Sequence, residues 1–155
     1  MIICDTREKK NAHILKYFEL HGIPYRVQKL DVADYRLENN VGYAIDRKQN
    51  LEELSTNLMN KKDHSRFWKE VRRAKEAGIK LVVLCEHGGS IKTIPDIAKW
   101  VNKYSGVSGR CLMDEIYRVH IAYGVEFLFC DKRNTGKKIY ELLSAAAHTG
   151  TDNRR

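Results

Sequence analysis

Residues 80–86 are KLVVLCE, and residues 81–85 form an uninterrupted apolar run. Such a run is typical of a short strand covered on both faces, since a half-exposed strand would alternate apolar and polar residues. Residues 1–4 and 125–130 have the same apolar character. The sequence therefore predicts buried strands lying between layers of helices.

Segments with helical spacing of apolar residues separate these strands. The predicted helices cover residues 11–21, 50–58, 65–77, 95–100, 111–123 and 136–147. Residues 25–30 are predicted to form a strand that continues past a bend into 35–37, and a turn near 39–42 returns the chain as a strand over 43–48. This order predicts one α/β domain over residues 1–148, with three layers around a mixed sheet, and a flexible tail over 149–155.

The composition favours an anionic partner, because the chain of 155 residues has a formal net charge of +8. Solvated lysine faces are the alternative explanation of that charge. No apolar stretch approaches the roughly 18 residues of a membrane-spanning helix. The first residues lack the pattern of a signal peptide, and none of the four cysteines has the spacing of a zinc ribbon. We therefore expect an intracellular protein.

Acidic residues lie at the ends of several predicted strands. Asp5 follows the first strand, Asp34 lies at a bend, and Asp46 interrupts an apolar strand two residues before Lys48. Side chains alternate along a strand, so Asp46 and Lys48 should point to the same face. Carboxylates grouped in this way can hold a divalent metal, although an Asx turn at Asp34 and a plain Asp46–Lys48 ion pair are the structural alternatives.

The predicted helix that follows this strand is strongly basic. Arg66, Lys69 and Arg73 recur at three- and four-residue spacing, which places them on one helical face. They can follow a phosphate backbone, or form a solvated helix face. Phe67 and Trp68 are predicted to be core residues rather than residues that stack on bases.

Together these motifs resemble, in order, those of the XPF-type nuclease domain. Asp5-Thr6-Arg7-Glu8 resembles its D-x-R-E opening, Val32-Ala33-Asp34-Tyr35 its V-G-D-Y, and Ile45-Asp46-Arg47-Lys48 with Glu52 its E-R-K-x-x-x-D. Ser65-Arg66-Phe67 resembles its G-R-F/L segment, and residues 81–86 resemble its apolar strand that ends in glutamate. The resemblance extends from Met1 to about Glu86.

The resemblance implies a restriction-endonuclease-like α/β/α fold and an endonuclease of the PD-(D/E)xK kind, which uses Mg²⁺ or Mn²⁺ on branched, flapped or duplex DNA. It implies that Asp34 and Asp46 are metal ligands, together with the Arg47 carbonyl, and that Lys48 orients the attacking water or stabilises charge. Asp5 and Glu8 would support this metal or a second ion. Arg7, Arg47 and Arg66 would contact phosphates or hold the acids in place. The helical spacing, and not the resemblance, adds Lys69 and Arg73 to the expected DNA contacts.

The sequence departs from the family motifs at three positions: Ala33 replaces glycine, Asp46 replaces glutamate and Glu52 replaces aspartate. Ala33 keeps the small size of glycine, and Asp46 and Glu52 keep the negative charge, so we expect an active site. We expect no helix-hairpin-helix module after the nuclease domain, so a stand-alone nuclease is the first hypothesis. A DNA-binding or scaffold subunit with an inactive site is the second, and a more distant restriction- or repair-type nuclease with the same metal core is the third.

The resemblance also implies a homodimer. Two apolar helix faces are candidates for its contact, and packing within the domain explains them equally well. These faces consist of Ile116, Val119 and Tyr123, or of Ile139, Leu142 and Leu143.

Overall fold

A computed structural model describes the backbone of residues 1–152 and the side chains of residues 1–60 and 66–148. The strands are β1 (Ile2–Cys4), β2 (Tyr25–Val27), β3 (Tyr35–Leu37), β4 (Asn40–Lys48), β5 (Lys80–Glu86) and β6 (Glu126–Cys130). The α-helices are α1 (Ala12–Leu20), α2 (Leu51–Met59), α3 (Lys61–Glu76), α4 (Gly109–Tyr123) and α5 (Thr135–Asp152). A 3₁₀ helix, Ile94–Lys99, precedes α4, and a second, Lys132–Asn134, precedes α5.

All six strands form one mixed sheet in the order β2-β1-β3-β4-β5-β6. Strand β3 is antiparallel to both β1 and β4, and the other neighbouring pairs are parallel. The prediction that β2 continues into β3 is wrong, because these strands lie on opposite sides of β1. Hydrogen bonds between distant segments determine this order, and local sequence patterns do not reveal them.

Helices cover both faces of the sheet, which confirms the predicted three-layer α/β architecture. Helices α1 and α5 pack on one face through a core that includes Ile14, Phe18 and Ile139. Helices α2, α3 and α4 pack on the other through a core that includes Leu54 and Val71. Strand β5 contributes Val82 and Leu84 to the first core, and Leu81, Val83 and Cys85 to the second. The apolar run therefore has the double coverage that the sequence predicts.

The apolar faces suggested for a dimer contact are largely internal. Ile116, Val119, Ile139 and Leu143 are each at most 1% exposed in the single chain. They stabilise the domain core, and their side chains have almost no exposed surface that a second copy of the chain could contact. A homodimer stays a prediction, without these residues as its contact.

Two helices differ in extent from the predictions. Helix α3 begins at Lys61 rather than at residue 65, and α5 continues to Asp152 beyond its predicted end at residue 147. The side chains of residues 61–65, including that of Ser65 in the family-like motif, lie outside the described residues. Residues 153–155 of the predicted tail also lie outside them, so that tail stays a prediction. No helix in the described part of the chain is long and apolar enough to cross a bilayer.

Candidate active site

The strand-end acids meet at one edge of the sheet. Cys4 pairs with Tyr35 and Tyr35 pairs with Ile45, so the carboxyl ends of β1 and β4 flank the start of β3. The Asp34 amide donates to the Ile45 carbonyl at 2.9 Å, and the Asp5 amide donates to the Asp34 carbonyl at 2.8 Å. The sheet topology therefore brings together acids that are far apart in sequence.

Asp46 and Lys48 point to the face of the sheet that α2 and α3 cover. The Lys48 ammonium lies 3.0 Å from Asp46 Oδ2, as the alternation along β4 predicts. It also donates to Asn57 Oδ1 at 2.8 Å and lies 5.4 Å from the centre of the Phe67 ring. Burial lowers the pKa of Lys48, but the carboxylates of Asp46, Glu70 and Asp34 together raise it more, and the result lies above the ordinary lysine value. Lys48 is therefore a fixed positive charge in the site.

Asp34 is half-buried beside Asp46. Its Oδ2 accepts a hydrogen bond of 2.8 Å from the backbone amide of Arg47, which joins the Asp34 bend to β4. Burial, the Asp46 charge and the hydrogen bond between the two carboxyl groups raise the pKa of Asp34 well above its usual range. Two carboxylates so close together repel each other, and a proton or a cation between them relieves that repulsion.

A further acid, Glu70, reaches this site from helix α3. Its Oε1 accepts a hydrogen bond of 2.7 Å from the Ala33 amide. Burial and the Asp46 charge raise the pKa of Glu70 to about 7. Glu70 was not among the predicted site residues, although its position four residues after Arg66 and three before Arg73 places it on the same helical face as these cations. The sequence signal that could have identified Glu70 is a single acidic residue on a helical face that is otherwise basic.

Arg47 points to the opposite face of the sheet and is buried. Its Nε and Nη2 donate to the two carboxylate oxygens of Glu8 at 2.7 and 2.9 Å, and Nη2 also donates to the Lys9 carbonyl at 2.5 Å. Its Nη1 makes a short contact with Glu86, which also lies 3.0 Å from His13 Nε2. With a side chain 1% exposed, Arg47 has no access to a DNA phosphate, and it holds acids in place instead.

Glu8 and Asp5, both predicted as site residues, are already engaged by the protein. Glu8 binds Arg47 and accepts from the Tyr35 hydroxyl at 2.6 Å. Asp5 is 3% exposed. Its Oδ1 accepts from the Leu30 amide at 2.8 Å and its Oδ2 from Arg7 Nε at 2.9 Å. Both oxygens of Asp5 are therefore occupied by protein donors, and the supporting roles expected of Asp5 and Glu8 stay predictions.

The predicted DNA-binding cations of α3 surround the acidic site. A pocket of ≈ 290 Å³ is lined by acids and cations together. Its residues are Asp5, Arg7, Asp31, Ala33, Asp34, Asp46, Arg66, Lys69, Glu70 and Arg73. The Arg7 side chain is 64% exposed although it pairs with Asp5, so it remains accessible to a ligand. The pocket can therefore place an anionic ligand against Asp34 and Asp46.

The chemistry of the donor set fits a hard divalent cation. Among the described side chains, Asp46 Oδ2 is buried with no hydrogen-bond partner, and its neighbour is the Lys48 ammonium of the ion pair at 3.0 Å. The described residues contain no group of three or more His, Cys, Asp or Glu that is already arranged to hold a metal. The predicted set of Asp5, Asp34 and Asp46 is therefore not assembled as three ready ligands. Of these three carboxyl groups, only those of Asp34 and Asp46 lie beside each other as candidate metal ligands.

Comparisons with known proteins agree with the fold and the motifs. The family model of the ERCC4 domain matches residues 4–142. The structure is similar to XPF from Aeropyrum pernix, with a TM-score of 0.71 and 18% identity over 99% of this chain and 68% of that chain. It is also similar to XPF from Aeropyrum pernix in complex with DNA, with a TM-score of 0.71 and 17% identity over 96% of this chain and 65% of that chain. A search of curated protein sequences found no match.

These findings confirm the resemblance to the XPF-type nuclease domain, and at such identities the structural similarity shows the fold. The chain spans about two thirds of the length of the solved chains that it matches.

Proposed function

Since the chain belongs to the ERCC4 domain family, a family of DNA endonucleases, we propose that it hydrolyses DNA phosphodiester bonds with Mg²⁺ or Mn²⁺. The observation that carries this proposal is the pair of neighbouring carboxyl groups, Asp34 and Asp46, with the Lys48 ammonium 3.0 Å from Asp46 Oδ2. Two carboxylates so close together repel each other, and a divalent cation bound between them would relieve that repulsion.

Asp34 and Asp46 would hold the cation, because carboxylate oxygens are the preferred ligands of Mg²⁺ and Mn²⁺. The Arg47 carbonyl, implied by the family resemblance, would add a third ligand from the same strand. A cation bound there supplies a water of lowered pKa and positive charge for the scissile phosphate. The buried Arg47 side chain, held by Glu8, fixes the backbone from which both Asp46 and the Asp34 hydrogen bond extend.

Lys48 would act as a fixed cation rather than as a base. Its pKa is raised because Asp46 lies beside it, so it keeps its proton at neutral pH. A protonated lysine can orient a water and stabilise negative charge that develops on the phosphate. Its contacts with Asn57 and the Phe67 ring restrict the ammonium to one position.

DNA would lie across α3 and the mouth of the pocket. Arg66, Lys69 and Arg73 line this pocket with the exposed Arg7, so a phosphate backbone that follows them passes Asp34 and Asp46. The similar XPF structure in complex with DNA supports a DNA ligand. Contacts of this kind give affinity that falls with salt and depends little on sequence. Branched or flapped DNA is the proposed substrate class, with duplex DNA as the alternative.

The test is cleavage of labelled fork, flap and linear duplex DNA with Mg²⁺, with Mn²⁺ and with EDTA. Asp46→Asn and Lys48→Ala should abolish metal-dependent cutting, whereas Lys137→Ala, on α5 in the opposite helical layer, should not change it. Metal-independent cutting, or full activity of Asp46→Asn, would contradict the mechanism. Salt-sensitive DNA binding without cutting by the wild type would favour the scaffold hypothesis.

A further inference from the structure

Ala33 has a backbone conformation that residues with a Cβ atom rarely adopt. Its φ is 63°, in the left-handed region, and it is 3% exposed. The Cβ–carbonyl contact that disfavours this region is absent in glycine. Ala33 also directly precedes Asp34, one of the proposed metal ligands. A strained residue therefore lies next to a carboxylate whose position matters.

Glu70 supplies the group that holds this turn. Its Oε1 accepts from the Ala33 amide at 2.7 Å. Helix α3 is itself anchored, since Phe67 and Val71, on either side of Glu70, are at most 2% exposed in the core. The hydrogen bond therefore ties the strained turn to a rigid part of the fold. Without it, the Ala33 amide loses its partner in a largely buried setting, which is costly.

We propose that Glu70 is a positioning residue that holds Ala33 in its left-handed conformation and thereby fixes the Asp34 carboxylate beside Asp46. This inference rests on the proposed metal site and goes beyond it, because Glu70 acts through the backbone and not as a ligand. It also connects the helix that carries Arg66, Lys69 and Arg73 to a metal carboxylate. Glu70 thereby compensates for Ala33, which stands where the family motif has glycine.

Two substitutions at Glu70 separate positioning from charge. Glu70→Gln keeps an oxygen that can accept from the Ala33 amide but removes the negative charge, whereas Glu70→Ala removes both. The readouts are Mn²⁺ affinity of the DNA-free protein, measured by calorimetry, and the steady-state kinetics of cleavage. Glu70→Ala should weaken Mn²⁺ binding about tenfold and Glu70→Gln less than about threefold, a difference of the size that double-mutant cycles resolve. The KM for DNA should not change. Glu76→Ala, which removes an exposed acid of the same helix, is the control.

A double-mutant cycle with Ala33→Gly tests the coupling directly. Glycine adopts a positive φ at no steric cost, so Asp34 should no longer need the hydrogen bond from α3 to Ala33. In the Ala33→Gly background, Glu70→Ala should weaken Mn²⁺ binding by less than about threefold. An equal loss in both backgrounds would overturn the proposal. The proposal would also be overturned if Glu70→Gln weakened Mn²⁺ binding as much as Glu70→Ala. The loss of affinity would then result from the missing charge and not from the missing hydrogen bond.

Amide exchange gives a readout that needs neither metal nor DNA. The Ala33 amide should exchange about tenfold faster in Glu70→Ala than in the wild type, with little change in Glu70→Gln. Unchanged exchange in Glu70→Ala would overturn the proposal. This measurement separates failure of the positioning role from failure of the nuclease function, because a wild type that neither binds Mn²⁺ nor cuts DNA still reports on the turn.

Discussion

Replacing Arg47 with methionine should destabilise the protein severely, because Arg47 neutralises two acids in the interior. The Arg47 and Glu86 side chains are each 1% exposed, and that of Glu8 is 8% exposed. The guanidinium binds both oxygens of Glu8 and also contacts Glu86. Burial lowers the pKa of Arg47, but these two carboxylates raise it above the ordinary arginine value, so the guanidinium stays charged.

The size of the effect follows from what methionine leaves behind. It fills much of the same volume but leaves the buried Glu8 carboxylate without its cation and the buried Glu86 carboxylate with only the His13 ring beside it. Removal of one partner from a buried ion pair costs about 3–5 kcal/mol. Domains of this size have a free energy of unfolding of about 5–15 kcal/mol, so the loss is a large fraction of the total.

The assay is urea unfolding followed by circular dichroism in EDTA, with Arg26→Met as the matched control. Arg26 pairs with Glu38 at 2.6 Å, but both side chains are more than 40% exposed. Exposed pairs contribute less than about 1 kcal/mol, so the control should unfold close to the wild type. Adding Glu86→Gln to Arg47→Met should restore part of the loss, since it removes one uncompensated charge. If Arg47→Met and Arg26→Met lower the free energy of unfolding equally, the reasoning about this buried network is wrong.

Three further outcomes are expected. Arg73→Ala should weaken binding to all DNA sequences alike and reduce the slope of log affinity against log salt by about one, whereas Lys137→Ala should leave that slope unchanged; an altered sequence preference would contradict a phosphate contact. The raised pKa values of Asp34 and Glu70, the latter about 7, mean that the folded protein binds protons more readily than the unfolded chain. The contribution of Glu70 to stability is therefore complete below about pH 4 and is lost as the pH rises through 7, and that of Asp34 falls in the same direction. Urea unfolding in EDTA should show this decline, Glu70→Gln should reduce it, and a decline equal to that of the wild type would refute the assignment. Finally, Cys111 is exposed whereas Cys4 and Cys85 are buried, so a thiol reagent should label Cys111 first in the native protein, as peptide mass spectrometry can check.

Much of the site was predictable because it depends on short spacings. The two-residue separation of Asp46 and Lys48 predicts a shared face, and their atoms lie 3.0 Å apart. The same alternation directs Arg47 to the other face, but the sequence does not show what lies there. Glu8 and Glu86 are far from Arg47 in the chain, and only the folded sheet brings both to it. The prediction of a DNA contact for Arg47 overlooked this burial.

The position of Glu70 on α3 likewise could not be predicted in full from the sequence. Helical periodicity places Glu70 on the face of α3 that carries Arg66 and Arg73. It does not show whether that face meets the strand-end acids. That depends on how α3 packs on the sheet through Phe67 and Val71. The sequence gives one signal of the strain at Ala33, because the family motif has glycine there, but only the structure shows that its φ is positive.

The sequence alone predicted most of the strands and helices, the three-layer class and the Asp46–Lys48 pair, because periods of two and of about 3.6 residues are local properties of the backbone. The tertiary structure decided the strand order, with β2 and β3 on opposite sides of β1. It also decided which charges are buried against each other and which face the pocket. These features depend on contacts between distant segments, whose free energies are settled only when the whole sheet and both helical layers pack together.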